Sequence, residues 1–232
     1  MPFNPDLART EAAIIEMTNA FRREHALGRL TRDPKLASAA GSYAKFLAAS
    51  TIFTHEADGR RPSDRIGAAG YAACSTAENL AWMSHPNGFE TMDLARRLME
   101  GWKKSPPHRR NLMLDHAVDI GVAVIKVKGR QKYMAVQLFA RPQRLKYQFT
   151  IENLSGHAVP YTFAGRRERS RPNTVSRYTA CEPGSVEFEL SQGGLLSKAQ
   201  TASFAARDGT IFRLRRDTGR KARIEVVEAK RN

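Results

Sequence analysis

Cysteine is scarce in this 232-residue chain: Cys74 and Cys181 are the only two, too few for a disulfide framework. They could form one bridge between the two halves if their Cα atoms came within about 7 Å, or they could be two buried thiols. Long apolar runs are also missing. The longest stretches, such as Ile120 to Ile125, are the length of a strand, which excludes a helical membrane span. No internal repeat and no low-complexity tract is present. The opening Met1-Pro2-Phe3-Asn4-Pro5-Asp6 has neither a charged n-region nor an apolar h-region, so no signal peptide is expected there. A cytosolic chain and a matured exported chain both stay open on that ground. A Gly-rich phosphate loop, a His-Glu-x-x-His helix and a Gly-x-Ser-x-Gly elbow are all missing as well.

Acidic side chains are the other shortage: 23 Asp and Glu stand against 38 Lys and Arg, a formal charge of +15. The excess is uneven. Residues 141–232 carry 18 basic and 9 acidic side chains, against 20 and 14 in residues 1–140. Such a surface favours polyanions, whether nucleic acid, anionic lipid headgroups or acidic envelope polymers, or else serves only solubility. What remains is ordinary: 41% hydrophobic and 26% charged residues, a globular composition. The length predicts one sizeable domain and a smaller one.

The apolar spacing predicts a helix from Asp6 to about Leu27 and a second from Pro34 to about Ala49, with Pro34 at a tolerated first-turn position. Thr51 to Arg61 reads as a loop, Pro62 to Ala69 as a short helix, and Gly70 to Ala77 as loop again. Glu78 to Met83 is short and apolar. Gly88 to Lys104 predicts a third long helix, with Trp102 on its inner stripe. Ser105 and Pro106 open a short helix to Met113, Ser105 as the cap. Trp82 and Trp102 read as core, or else as the lining of a hydrophobic ligand groove. The period then shortens: Asp119 to Val127 and Lys132 to Ala140 predict a β-hairpin.

Beyond Pro142 the texture is that of short strands: Leu145 to Leu154, Ala158 to Ala164, Ser185 to Leu190, Thr201 to Ala206, Thr210 to Leu214 and Ala222 to Val227. Turn residues separate them, among them Gly193-Gly194 and Asp208-Gly209, which predicts a small all-β sandwich or barrel. The expected fold class is therefore α+β, with domains over 1–144 and 145–232. Arg166 to Arg171, and Arg213, Arg215 and Arg216 with Arg220, Lys221 and Arg223, either form a polyanion-binding face or are solvated edges.

Three residues of the first half could share one site. His55 lies in a loop beside Glu56 and Asp58, Glu78 precedes an apolar segment, and His108 opens a helix whose dipole favours neutral imidazole. Two imidazoles and one carboxylate make a first shell for zinc with a position left for water. Taken singly, each is as well explained as a hydrogen-bonded structural residue.

Five ordered motifs then carry a resemblance. Phe53-Thr54-His55, Ala77-Glu78-Asn79-Leu80-Ala81, Trp102 through Leu112, Asp119 through Val124 and Gln137-Leu138-Phe139-Ala140 occur as in bacterial CAP-superfamily domains, relatives of cysteine-rich secretory, antigen 5 and pathogenesis-related proteins. Thr18 to Arg22 with Gly28-Arg29-Leu30 resembles the family's first helix. The resemblance covers about residues 10–142 and implies an α-β-α sandwich with a central cleft. In better-known members two His and two acids face that cleft, and some bind zinc. His55, Glu78 and His108 match three of the four. The second acid is missing, since Lys103, Lys104 and Ser105 stand after Trp102, and Ala77 replaces the usual glycine. Asp64 offers another carboxylate nearby.

The resemblance implies a secreted or periplasmic binding protein with a cleft for a small or lipid-like ligand, and zinc on His55, Glu78 and His108 as in the members that bind it. The basic β domain would dock on an anionic envelope polymer. The alternative is a metal-assisted peptide or glycan hydrolase with Glu78 as general base. A nucleic-acid binder rests on charge alone and ranks last.

Overall fold

The computed structural model describes residues 2–190, 200–216 and 222–228, and the chain divides into two compact units, Met1–Arg144 and Leu145–Asn232. Neither cysteine is a free thiol, which removes the two-thiol reading. Among the described residues no helix is long and apolar enough to cross a membrane.

Unit 1 runs α1 (Leu7–Glu24), β1 (Thr31–Arg32), α2 (Pro34–Ala49), α3 (Pro62–Ala68), β2 (Ala73–Ser84), α4 (Thr91–Lys104), α5 (Pro106–Leu112), β3 (Asp119–Lys126) and β4 (Lys132–Pro142). Local chemistry sets the helix starts. Asp6 accepts the Arg9 amide before α1, and Asp33 accepts the Lys35 and Leu36 amides before α2, with Pro34 in the first turn. Ser105 occupies the cap position of α5, but its hydroxyl makes no capping bond.

The four strands lie in the order β1-β3-β4-β2, parallel between β1 and β3 and antiparallel elsewhere. Strand alternation sends Ile120, Val122, Val124, Tyr133, Ala135 and Phe139 to one face, where α1 and α4 cover them with Ile14, Phe21, Leu98 and Trp102. Ala123, Met134, Val136 and Leu138 go to the other face, under Leu36, Ala40, Tyr43, Leu47 and Ile66 of α2 and α3. The result is an α-β-α sandwich with a core on each side of the sheet. α2 comes so close that a Cβ on Gly121 would stand 2.3 Å from the Leu36 carbonyl carbon. Glycine is required there for the approach, not for a turn.

Sequence and structure part at β2. The stretch Gly70 to Ala77, expected as loop, is largely strand, because β2 begins at Ala73 and runs twelve residues to Ser84. Its first half, Ala-Cys-Ser-Thr-Ala, has too few β-branched or alternating apolar residues to announce itself. β2 is the edge of the sheet. Trp82 on it is 49% exposed, with the Lys132 ammonium 4.5 Å from its ring centroid, so it is not core; Trp102 is.

Unit 2 holds β5 (Tyr147–Leu154), β6 (Val159–Phe163), β7 (Arg166–Ser170), β8 (Thr174–Ala180), β9 (Gly184–Leu190), β10 (Gln200–Ala206), β11 (Thr210–Arg216) and β12 (Ala222–Glu228). Two sheets, β10-β9-β6-β7 and β12-β11-β5-β8, share one aromatic core built on Phe149, Tyr161, Phe188 and Phe212, which makes a sandwich. β7 and β8 were not expected as strands. The arginines of β7 masked an edge strand that needs no apolar outer face. The Gly193-Gly194 turn and Arg220 and Lys221 lie outside the described residues.

Candidate functional site

The loop 51–61, α3 and the middle of β2 assemble the site. Arg65 is the piece on which the others hang. It sits with Ile66 on the buried face of α3, its side chain 4% exposed. Nη1 reaches Asp58 Oδ1 at 2.9 Å and the Arg60 carbonyl at 2.6 Å; Nη2 reaches the His55 carbonyl at 3.0 Å and Glu78 Oε2 at 2.9 Å. Its guanidinium lies 3.4 Å from the centroid of the Tyr43 ring, a cation–π contact. The Tyr43 hydroxyl in turn donates to the Thr54 carbonyl and accepts the Ala57 amide. The loop thus takes its shape from side chains of α2 and α3.

Glu78 is buried, its side chain 1% exposed, and both oxygens are in use. Oε2 accepts from Arg65, and Oε1 lies 2.8 Å from His55 Nδ1. A carboxylate only accepts, so Nδ1 donates and the ring turns Nε2 outward. The His55 side chain is 53% exposed. The bond from Glu78 raises the His55 pKa above its ordinary 6.5, against burial and the Arg65 charge. His108 moves the other way, lowered by burial and by the charge of His55. Their environments therefore push the two imidazoles in opposite directions. Asp58 is held below the usual carboxylate range: burial works to raise it, and the Arg60 amide and the Arg65 charge outweigh burial.

Asp64, the further carboxylate expected here, points elsewhere. It accepts from the Arg61 amide and guanidinium at the exposed start of α3. Lys104 is exposed at the end of α4. An open groove of about 430 Å³ remains, bounded by His55, Glu56, Arg61 and Ser63 on one side and by Thr76, Ala77, Glu78 and Asn111 on the other. His108 is not part of its lining.

Below the groove runs a buried amide ladder. Gln137 donates to the Thr18 hydroxyl at 2.9 Å and accepts from Asn79 at 3.1 Å. Asn79 accepts from Asn111 at 2.9 Å, and Asn111 also donates to the Glu78 carbonyl at 3.1 Å. Arg22, wholly buried, donates to the carbonyls of Gly28, Leu112 and Leu114 and so fixes the end of α5 that carries Asn111. Arg65, Asn79, Asn111 and Gln137 were not singled out as site residues from sequence. Arg65 shares the buried face of the seven-residue α3 with Ile66, too short a helix for its phase to be read from sequence.

Zinc was expected on His55, Glu78 and His108. Among the described residues no group of three His, Cys, Asp or Glu is arranged to hold a metal ion. Each Glu78 oxygen already accepts one hydrogen bond, from Arg65 and from His55, and the guanidinium beside it repels a cation. As described, His55, Glu78 and His108 do not stand together as a three-ligand group.

The profile of the cysteine-rich secretory protein (CAP) family matches residues 15–139. The chain belongs to that family. Residues 15–139 take in every element of the site just described. An outer surface protein of Borrelia burgdorferi shares 23% identity and a TM-score of 0.53, over 62% of this chain and 100% of that one. An extracellular SCP-domain protein of Bacillus anthracis shares 24% identity and a TM-score of 0.48, over 61% of this chain and 45% of that one. No curated protein matches the chain. The CAP fold of unit 1 and the added β sandwich of unit 2 both agree with the expectation from sequence.

Proposed function

We propose that this CAP protein binds a polar ligand in the groove beside His55 and does not turn it over. The observation that carries this is the double engagement of Glu78 by His55 and Arg65. A general base needs an oxygen within reach of the proton it removes, whereas this carboxylate serves to orient His55 by accepting from its Nδ1. The outward Nε2 then offers one hydrogen-bonding group, fixed in direction by that bond, to a polar atom of the ligand. Asn111, Thr76 and Ser63 on the groove wall favour a hydrogen-bonding partner over a lipid tail. The family name, and the outer-surface and extracellular descriptions of two relatives, support a secreted or periplasmic location.

The test is an amide NMR titration with small carboxylates, phosphates and primary amides. Shifts centred on His55, Thr76 and Asn111, lost in His55→Ala, are expected. Shifts unchanged in His55→Ala would remove the proposal.

In the β sandwich, Arg213 and Arg215 pair with Glu152 and Glu225, and Arg167 pairs with Glu189. Arg166, Arg169 and Arg171 on and after the edge strand β7 are exposed and make no ion pair among the described residues. These arginines are the part of the basic excess suited to an anionic envelope surface. Charge reversal at all three is expected to abolish retention on phosphatidylglycerol vesicles; equal retention would refute docking through β7.

A further inference from the structure

The groove runs along the open edge of a sheet, and the sheet shows which way its edge groups point. The Val118 amide donates to the Ala140 carbonyl, so Ala140 of β4 faces the β3 side. The alternate residues Phe139, Gln137 and Ala135 therefore face β2, where they oppose Ala77, Asn79 and Ala81. Thr76, Glu78 and Leu80 must then aim their N–H and C=O groups away from the sheet. Two side chains confirm it. Asn111 Nδ2 donates to the Glu78 carbonyl at 3.1 Å, and Trp102 Nε1 donates to the Leu80 carbonyl at 3.2 Å. Those two carbonyls of the edge are covered.

The covering stops at the groove. By the same alternation the N–H and C=O of Thr76 and the N–H of Glu78 point outward from the sheet, both residues line the groove opposite His55, Arg61 and Ser63, and no described residue pairs with those groups. We infer that the groove accepts an extended peptide that adds to β2 as a short antiparallel or parallel strand, hydrogen-bonded through its main chain to Thr76 and Glu78. This deepens the polar-groove proposal and rests on it. A strand backbone is the ligand that presents a donor and an acceptor together and repeats every second residue, as the edge does. Asn111 sets the far end: it takes the carbonyl that a longer added strand would need. The site is therefore a few residues long, with the outward His55 Nε2 placed to meet a side chain or main-chain group of the peptide.

The probe is a pool of random octapeptides, N-acetylated and C-amidated so that no terminal charge binds, added to the full chain and read by amide hydrogen exchange. Without peptide, the Thr76 and Glu78 amides are expected to exchange fast and the Ala77 amide slowly. With peptide, Thr76 and Glu78 are expected to slow at least tenfold. Single peptides recovered from the pool should lose binding when N-methylated at alternate positions only, a pattern that side-chain recognition would not produce. Thr76→Pro removes the outward N–H at an edge position where proline is tolerated, and it should abolish peptide binding; the N-methyl scan decides should that variant fail to fold.

No slowing at Thr76 and Glu78, or N-methyl sensitivity without the two-residue period, would overturn the inference. So would slowing by an N-acetylglucosamine hexamer and not by peptides. A small-fragment response at His55 without peptide protection would overturn this inference and leave the polar groove standing; loss of both would overturn both.

Discussion

Arg65 Nη2 stands 2.9 Å from Glu78 Oε2 with both side chains almost fully withdrawn from water. The pair joins α3 to the sheet edge, and through Glu78 it sets the state of the one imidazole that faces the groove. Arg65→Met leaves the Glu78 and Asp58 carboxylates buried beside an apolar side chain. Breaking a buried pair this way costs about 3–5 kcal/mol, to be read as a lowered urea midpoint at constant slope. Arg65→Met with Glu78→Gln is expected to recover part of the loss.

The two imidazoles predict opposite pH slopes. His55 has a raised folded pKa, so its contribution to stability is complete below 6.5 and is lost as pH rises through the folded value. His108 has a lowered one, so its contribution is complete above 6.5 and is lost as pH falls through the folded value. Ring-proton NMR should show His55 titrating late and His108 early. In Glu78→Gln the His55 midpoint should drop, and in His55→Ala the His108 midpoint should rise.

Asn79 satisfies three partners in a buried ladder, Gln137, Asn111 and the His108 carbonyl. Asn79→Leu strands those groups without water. A loss of about 1–3 kcal/mol for each unsatisfied group is the general scale, and chemical denaturation should place Asn79→Leu at or above that figure. Gln137→Glu should be worse, since it adds a charge to the same enclosed site.

Gly121→Ala tests the seating of α2. The added methyl would meet Leu36 and Ala37 backbone atoms at 2.3 and 2.5 Å, which only a shift of the helix relieves. Overpacking of this kind costs about 1–3 kcal/mol, and the thermal midpoint should fall accordingly. Gly67→Ala, with open space around it, should not lower it.

Zinc titrated into metal-stripped protein should bind no tighter than micromolar, because Glu78 is committed to Arg65 and His55. Calorimetry on wild type and His108→Ala checks this: tight binding lost in the variant would mean that Glu78 leaves Arg65 to join a metal.

Much of unit 1 was legible because its helices obey their period and carry caps: Asp33-Pro34 opens α2 where expected, and Trp102 lies on the buried stripe of α4. β2 was half legible. Small residues, all half-buried, fill its first part, so burial leaves no alternating signature. His55 and Glu78 were singled out from sequence, first by residue type and then by family motif, and do touch. Arg65 was missed for Asp64, its neighbour, because a charged residue on a short helix gives no sign of which side it faces until the sheet lies beneath it. The ladder residues escaped for a related reason. An amide inside a motif looks like any polar residue, and only the register opposite Gln137 makes Asn79 a buried one.

The loop that presents His55 belongs to no ladder of main-chain bonds with the sheet. Tyr43 and Arg65 hold it by side chains, through the carbonyls of Thr54, His55 and Arg60 and the amide of Ala57. A segment tied this way opens at a lower free energy than the domain unfolds. The recognition surface and the scaffold are thus separable in time: a transient release of eleven residues erases the groove wall while both hydrophobic layers stay closed. Susceptibility to a protease at Thr51–Arg61 would then follow ligand occupancy rather than global stability.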